Sequence, residues 1–184
     1  ADGMDVNEVI RIANKHPRVN ILSPGPGVGG HCISVDPWFL VGDYPDIVNV
    51  IRAARKVNDG MPNFVLKRIH TVMQEHALTD VSRVGLYGLT YKEQVDDTRE
   101  SPTLQLLHIM DEHLAGGLIK VYDPYVERDI VPNQMHDFDA FLNSVDMVVI
   151  LVAHNEILEQ MDKLKDKVIL DTRNVCKLDG VSRL

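Results

Sequence analysis

Apolar positions recur at helical spacing along the first part of the chain. Val6, Val9, Ile10 and Ala13 share one face of residues 4–15, with Asp2 or Asp5 placed to cap that helix. The stretch "KHPRVNILSPGPGVGG" then interrupts helix formation repeatedly: Pro17 drives His16 toward extended backbone, and the glycines admit positive φ. "DPWFLV" opens a short helix for which Asp36 is the expected N-cap and Pro37 the first helical residue. A longer stripe follows over residues 46–78, carried by Ile47, Ile51, Ala54, Val57, Met61, Val65, Ile69 and Val72. "NDGMP" should kink or break it, because Pro62 forfeits a backbone hydrogen bond. The plain use of such a stripe is core packing; a long two-sided helix also serves to join domains or pair subunits.

After Thr79 the period changes. Residues 83–89, 117–123, 146–153 and 167–173 are short runs rich in Val, Ile and Leu, and helical segments lie between them at 101–115, 137–143 and 155–164. Apolar strands alternating with helices predict parallel βαβ units. The fold class expected is α/β: an N-terminal helical arm with a long dimerisation-type helix, then a Rossmann-like parallel sheet with helices on both faces. The domain division falls near 79–82, giving a helical segment 1–78 and a sheet domain 79–184. Ligands of such sheets sit at the carboxyl ends of the strands.

The 184 residues, 45% hydrophobic and 25% charged, are those of a globular protein with a real core. No run approaches the roughly 18 apolar residues of a membrane helix, and no charged-then-apolar leader opens the sequence, so no membrane partner is expected. The net charge of −8 argues against nucleic acid and anionic lipid, while leaving room for an anionic small ligand held by a few local cations. Cys32 and Cys176 give neither a disulfide framework nor a CxxC metal spacing, which fits a reducing, cytoplasmic setting and no metal. "ADGMDVNEV" begins inside an established helical pattern and reads as cut from a longer protein.

Candidate chemistry gathers in three places. In the first, Gly25, Gly27, Gly29 and Gly30 bring backbone amides close to a ligand, as in anion-holding nests, just ahead of Cys32. The string GxGxxG is present, but no strand precedes it and no helix opens directly after it, so it fails as a dinucleotide fingerprint. Cys32 is either a thiolate stabilised by loop amides or a small buried hydrophobe. His31 is adjacent in sequence, yet neighbouring side chains usually diverge, so no Cys–His dyad follows. Asp36 could cap the helix, orient a water, or both. The second place, "GLYGLTYKEQVDDTRESP", carries Lys92 and Arg99 between a strand end and a helix N-terminus, where they bind an anion or pair with Asp96, Asp97 and Glu100. The third, "VILDTRN", sets Arg173 at the end of the last strand, an exposed cation or a ligand contact. Asp123 ends another strand, to hold a ribose hydroxyl or cap a turn before Pro124, and His16 and Arg18 bracket Pro17 in an apparent surface turn.

Together, "PGPGVGGHCISVDPWF" and "GLTYKEQVDDTRESP" resemble the catalytic-cysteine loop and the second signature of the nucleotide-diphosphate-sugar 6-dehydrogenases, the family of the UDP-glucose and GDP-mannose enzymes. The resemblance covers nearly the whole chain but only the C-terminal half of such an enzyme. It implies two oxidations of the sugar 6-hydroxyl by NAD, with Cys32 forming a thiohemiacetal and then a thioester that water releases. It further implies that Asp36 helps position that water and that Gly29, Tyr91, Lys92 and Arg173 lie against a UDP-sugar. Arg99 would face NAD, and His16 and Arg18 would reach substrate from a neighbouring subunit of a homodimer or higher homo-oligomer. Val35 stands where UDP-glucose enzymes carry lysine, which turns the resemblance toward the acetamido-sugar branch. With no strand–GxGxxG–helix unit of its own, the chain by itself is expected to be inactive. Two other classes stay open on the residues alone: a cysteine hydrolase or transferase using a distant histidine, and a non-catalytic nucleotide-binding or oligomerisation module.

Overall fold

A computed structural model describes residues 3–113 and 119–184. Six strands form one wholly parallel sheet: β1 (Val84–Tyr87), β2 (Lys120–Tyr122), β3 (Gln134–Met135), β4 (Met147–Ile150), β5 (Val168–Asp171) and β6 (Ser182–Arg183). Their order is β3-β2-β1-β4-β5-β6, the doubly wound arrangement, and the direction of winding reverses between β1 and β4. The parallel Rossmann-like sheet expected from the four apolar runs is therefore present. β3 and β6 were not legible as strands. Each is two residues long at a sheet edge, too short for an apolar run to register.

Side chains alternate across the sheet. Leu86, Met147, Val149 and Leu170 face α4 (Met61–Glu75) and α5 (Pro102–His113), packing with Val65, Ile69, Val72, Leu106 and Met110. Tyr87, Val148, Ile150 and Ile169 face α6 (Phe138–Ser144) and α7 (Asn155–Glu159), packing with Phe141, Leu142 and Ile157. Gly85 has no side chain because Phe141 fills the space: a Cβ there would lie 2.6 Å from the ring. Helices thus cover both faces, and the central strands β1 and β4 are buried along their whole length, as inner parallel strands require.

The stripe over 46–78 divides at Gly60 into α3 (Asn49–Asp59) and α4. Pro62 sits in the first turn of α4, where its missing N–H has no partner to lose. The two halves have different fates. Val65, Ile69 and Val72 are almost wholly buried against the sheet, so α4 shares the sheet's core, whereas Ile47, Val50 and Val57 are 80%, 83% and 71% exposed. α1 (Val6–Ala13), N-capped by Asp5 through the Asn7 amide at 2.9 Å, and α2 (Asp36–Asp43) also bury no residue. No helix among the described residues is long and apolar enough to cross a membrane.

Candidate functional site

The cysteine loop and the β1–α5 connection, far apart in sequence, are folded against each other. The amide of Gly30 donates to the Arg99 carbonyl at 2.9 Å. Gly29 and Gly30 are buried beneath the Tyr91–Glu100 turn, and a Cβ on Gly29 would lie 2.8 Å from Tyr91 Cβ and collide with the Glu100 carbonyl. Gly30 has φ +88 and meets the Tyr91 ring, and Gly27, φ +138, lies against Pro102. Gly25 is packed against the Arg173 guanidinium. The glycines therefore serve close approach of one backbone to another, and the turn they meet is itself constrained, with Gln94 and Glu100 both at positive φ.

That packing also decides the dinucleotide question. The space above Gly29 and Gly30 is occupied by Tyr91 and Glu100, and the β1–α5 connection supplies no glycine pair at a helix start. The described residues do not fit a dinucleotide pyrophosphate cradle. Gly29→Ala should consequently lower stability by about 2 kcal/mol, since overpacking against backbone cannot relax cheaply. Urea unfolding measures it, and a change within 0.5 kcal/mol would show the loop free to move aside.

Cys32 itself is exposed at the rim of this junction. Its carbonyl accepts from the amides of Val35 at 3.0 Å and Asp36 at 2.8 Å, curling the chain into α2. The same curl brings His31 Nδ1 to 3.2 Å from Cys32 Sγ, although adjacent side chains were expected to diverge. That expectation holds for extended chain and fails in a turn. Asp36 also departs from expectation. It is the first helical residue rather than the N-cap, which is Val35, and its exposed carboxylate caps nothing. Ser34 donates back to the Gly30 carbonyl and closes the loop. Cys176 contrasts with Cys32: it is buried, and burial pushes its thiol above the ordinary range.

Below the loop lies the carboxyl edge of β1, β4 and β5. Tyr91, Lys92, Glu93, Val152 and Arg173 line a narrow cleft there, with Gly27 on its other wall. Arg173 pairs with Glu93 at 2.7 Å, and Lys92 Nζ sits 5.3 Å from the centre of the Tyr91 ring. Arg99 stands apart from the cleft: its guanidinium clasps Asp97 at 2.5 Å and remains largely exposed, and that contact holds the Asp97 carboxyl down to about 2. Arg99 thus has Asp97 as an acidic partner while most of its side chain stays open to solvent.

At the winding reversal, Asp123 is wholly committed. Its carboxylate accepts from the amides of Leu89 (2.6 Å), Thr90 (3.0 Å) and Tyr125 (2.8 Å) and meets His154 Nε2 at 3.2 Å. His154 Nδ1 accepts from the Gln94 amide at 3.1 Å, which leaves the ring proton on Nε2, facing Asp123 and Thr90 Oγ1. Burial pushes Asp123 upward, but the His154 bond and the backbone amides outweigh it and hold the carboxyl below its ordinary value. Asp123 braces the turn that carries Tyr91 and Lys92, with no accessible oxygen for a ribose.

Cys32, Asp36, Gly29, Tyr91, Lys92, Arg99 and Arg173 thus belong to one junction. His16 and Arg18 do not: they lie in an exposed turn, where Arg18 N donates to His16 Nδ1 at 3.2 Å and Asn14 clips the segment through Ile21. Glu93, His154 and Arg55 were missed. His154 ends β4's apolar run at the same edge as Asp123, a signal the sequence carried, whereas Arg55 lies off the apolar stripe of residues 51, 54, 57 and 61 and nothing in the sequence marks it as buried.

Comparison with known proteins matches two segments of the chain to one family. Residues 1–60 match the UDP-glucose/GDP-mannose dehydrogenase family, central domain, and residues 85–178 match its UDP binding domain. The chain is 44% identical over 182 residues to the UDP-N-acetyl-D-mannosamine dehydrogenase of Methanocaldococcus jannaschii, covering 94% of this chain and 40% of that protein. It is 38% identical to an NDP-N-acetyl-D-galactosaminuronic acid dehydrogenase of Ralstonia nicotianae, over 94% of this chain and 41% of the relative. Among solved structures, the UDP-D-ManNAc dehydrogenase of Pyrococcus horikoshii superposes with a TM-score of 0.81 at 31% identity, covering 98% of this chain and 44% of that one. The UDP-N-acetyl-mannosamine dehydrogenase of Staphylococcus aureus gives 0.76 at 38%, over 98% and 43%. The chain spans about two fifths of the curated relatives it matches. With both family segments matched in order, and the cysteine loop docked on the UDP-binding half, this chain belongs to the UDP-glucose/GDP-mannose dehydrogenase family.

Proposed function

We propose that the chain is the substrate-side part of an NAD-dependent UDP-N-acetylmannosamine 6-dehydrogenase, with Cys32 as its covalent nucleophile. The observation that carries this reading is the junction itself: an exposed thiol held by the Gly30–Arg99 bond beside a cleft that contains Tyr91, Lys92 and Arg173. Lys92 and Arg173 offer the positive charge a diphosphate needs at the carboxyl edge of a parallel sheet, and the Tyr91 ring walls the same space. Gly29 shapes that wall by admitting the Tyr91 turn.

The chemistry assigned to this chain is addition and hydrolysis. The Cys32 thiolate forms a bond to the C6 aldehyde carbon, the carbonyl electron pair moves to oxygen, and a proton completes the thiohemiacetal. Once that adduct is at the acyl level, Asp36 positions the water that cleaves the thioester and returns the thiol. His31, 3.2 Å from Sγ, is placed to accept the thiol proton before addition. Hydride removal belongs to the remainder of the parent enzyme, because no dinucleotide cradle forms among the described residues; Arg99, exposed at the rim, is the contact this chain extends toward NAD. His16 and Arg18 act from a neighbouring subunit, consistent with their exposed turn, and the bare apolar faces of α2 and α3 supply area for subunit contact in a cytoplasmic homo-oligomer.

Assaying the full-length enzyme against UDP-N-acetylmannosamine, UDP-N-acetylglucosamine and UDP-glucose tests this reading. The acetamidomannose substrate should be oxidised to its uronic acid with at least about tenfold higher kcat/KM than either other sugar, equivalent to about 1.4 kcal/mol. The isolated chain should form no NADH. Preferred turnover of UDP-glucose would overturn the substrate assignment, and robust NADH formation by the isolated chain would overturn the division of labour.

A further inference from the structure

Arg55 is the one buried residue of α3, its side chain about nine-tenths enclosed. A guanidinium in that position is costly unless its donors are met. Nη2 pairs with Asp59 one turn on, and Nη1 donates to the Ile33 carbonyl at 3.2 Å; Nε has no partner. An i,i+4 pair with Asp59 would form equally well on the solvent face of the helix, so it does not explain why Arg55 points inward. What the inward position adds is the bond to Ile33, the residue following Cys32.

The same turn of α3 makes a second connection to the loop. Asn58 Oδ1 accepts from the Val28 amide at 3.0 Å. α3 therefore holds the loop on both sides of Cys32, at Val28 through an acceptor and at Ile33 through a donor, while Gly30 is tied to Arg99 between them. Cys32 is exposed, and its thiol meets the ring of its own neighbour, His31, so the anchors on either side of it set where the backbone holds it.

We propose that Arg55 is a positioning residue for Cys32: its guanidinium, neutralised by Asp59, fixes the Ile33 carbonyl and thereby the backbone that aims the thiol at the sugar carbon. This rests on the assignment of Cys32 as nucleophile. Arg55 touches neither substrate nor cofactor, so its contribution falls on the covalent step and not on UDP-sugar binding, which belongs to the cleft around Lys92 and Arg173. Misplacement of a reacting group by about 1 Å costs about 100-fold in rate.

The test uses the full-length enzyme and its UDP-sugar, comparing Arg55→Met and Arg55→Lys with the parent. Arg55→Met should lower kcat for acid formation by about 10- to 100-fold, with KM within about twofold. The rate of Cys32 alkylation by iodoacetamide, read by mass spectrometry, should stay within about threefold, because a small diffusing reagent does not need an aimed thiol. Arg55→Lys keeps the buried charge and its Asp59 partner but lacks the second arm for Ile33. It should show the same split, and it carries the test if the Met variant melts below assay temperature. An unchanged kcat in a folded variant, or a fall in kcat matched by an equal rise in KM, overturns the proposal. Full acid formation by Cys32→Ser would instead overturn the nucleophile assignment beneath it, so the two failures are told apart.

Discussion

Replacing Cys32 with serine in the full-length enzyme should abolish sugar-acid formation while leaving the fold and UDP-sugar affinity intact. Cys32 is exposed and contributes nothing to either core cluster, so exchanging sulfur for oxygen removes no packing. What is lost is the sulfur nucleophile: a serine hydroxyl is a far weaker nucleophile than a thiolate and needs a strong base to attack a carbonyl carbon, and the only base placed at this side chain among the described hydrogen bonds is the neighbouring His31 ring. The expected fall in the rate of acid formation is about three orders of magnitude or more. Quantifying uronic acid by mass spectrometry checks it, with UDP-sugar binding measured in parallel by calorimetry. Undiminished oxidation would sink the covalent reading and favour a non-catalytic nucleotide-binding module.

The largest stability effect should come from Asp123→Ala. The side chain is fully enclosed, and removing it strands the Leu89, Thr90 and Tyr125 amides together with the His154 Nε2 proton. Breaking a buried, hydrogen-bonded charge costs about 3–5 kcal/mol, a large part of a domain's margin. Urea unfolding at pH 7 measures the loss, and a change below about 1 kcal/mol would show that water replaces the carboxylate. The same residue predicts acid sensitivity. Its folded pKa lies below the unfolded carboxylate value of about 3.9, so its contribution is complete above that value and is lost as pH falls through the lower folded one. Thermal melts of the parent should fall steeply below about pH 4, and Asp123→Ala should show a shallower acid decline.

How much of this was legible in the sequence follows from the range of the interactions involved. β1, β2, β4 and β5 are announced by their own residues, because a strand buried on both faces must be apolar along its length. β3 and β6 are defined by neighbours rather than by composition, so nothing local marks Gln134–Met135 or Ser182–Arg183. Most candidate site residues could be assigned from sequence to strand ends or to the cysteine loop, but the partners they meet there could not. That Glu93 meets Arg173, or that Asn58 and Arg55 grip the loop, depends on contacts across 80, 30 and 22 residues of sequence. The glycines are the sharpest instance. Their flexibility was evident, whereas its use, to admit Tyr91 and Glu100, exists only once two distant segments meet.

That meeting bears on how such an enzyme can be re-engineered. Gly29 and Gly30 on one segment and Tyr91 and Glu100 on the other are halves of a single mould, with no slack for a methyl group between them. A loop grafted alone from a relative with different specificity would arrive against a surface cast for another loop. Library designs that randomise residues 25–36 and residues 89–100 together should yield folded, altered-specificity variants far more often than designs that vary either segment by itself.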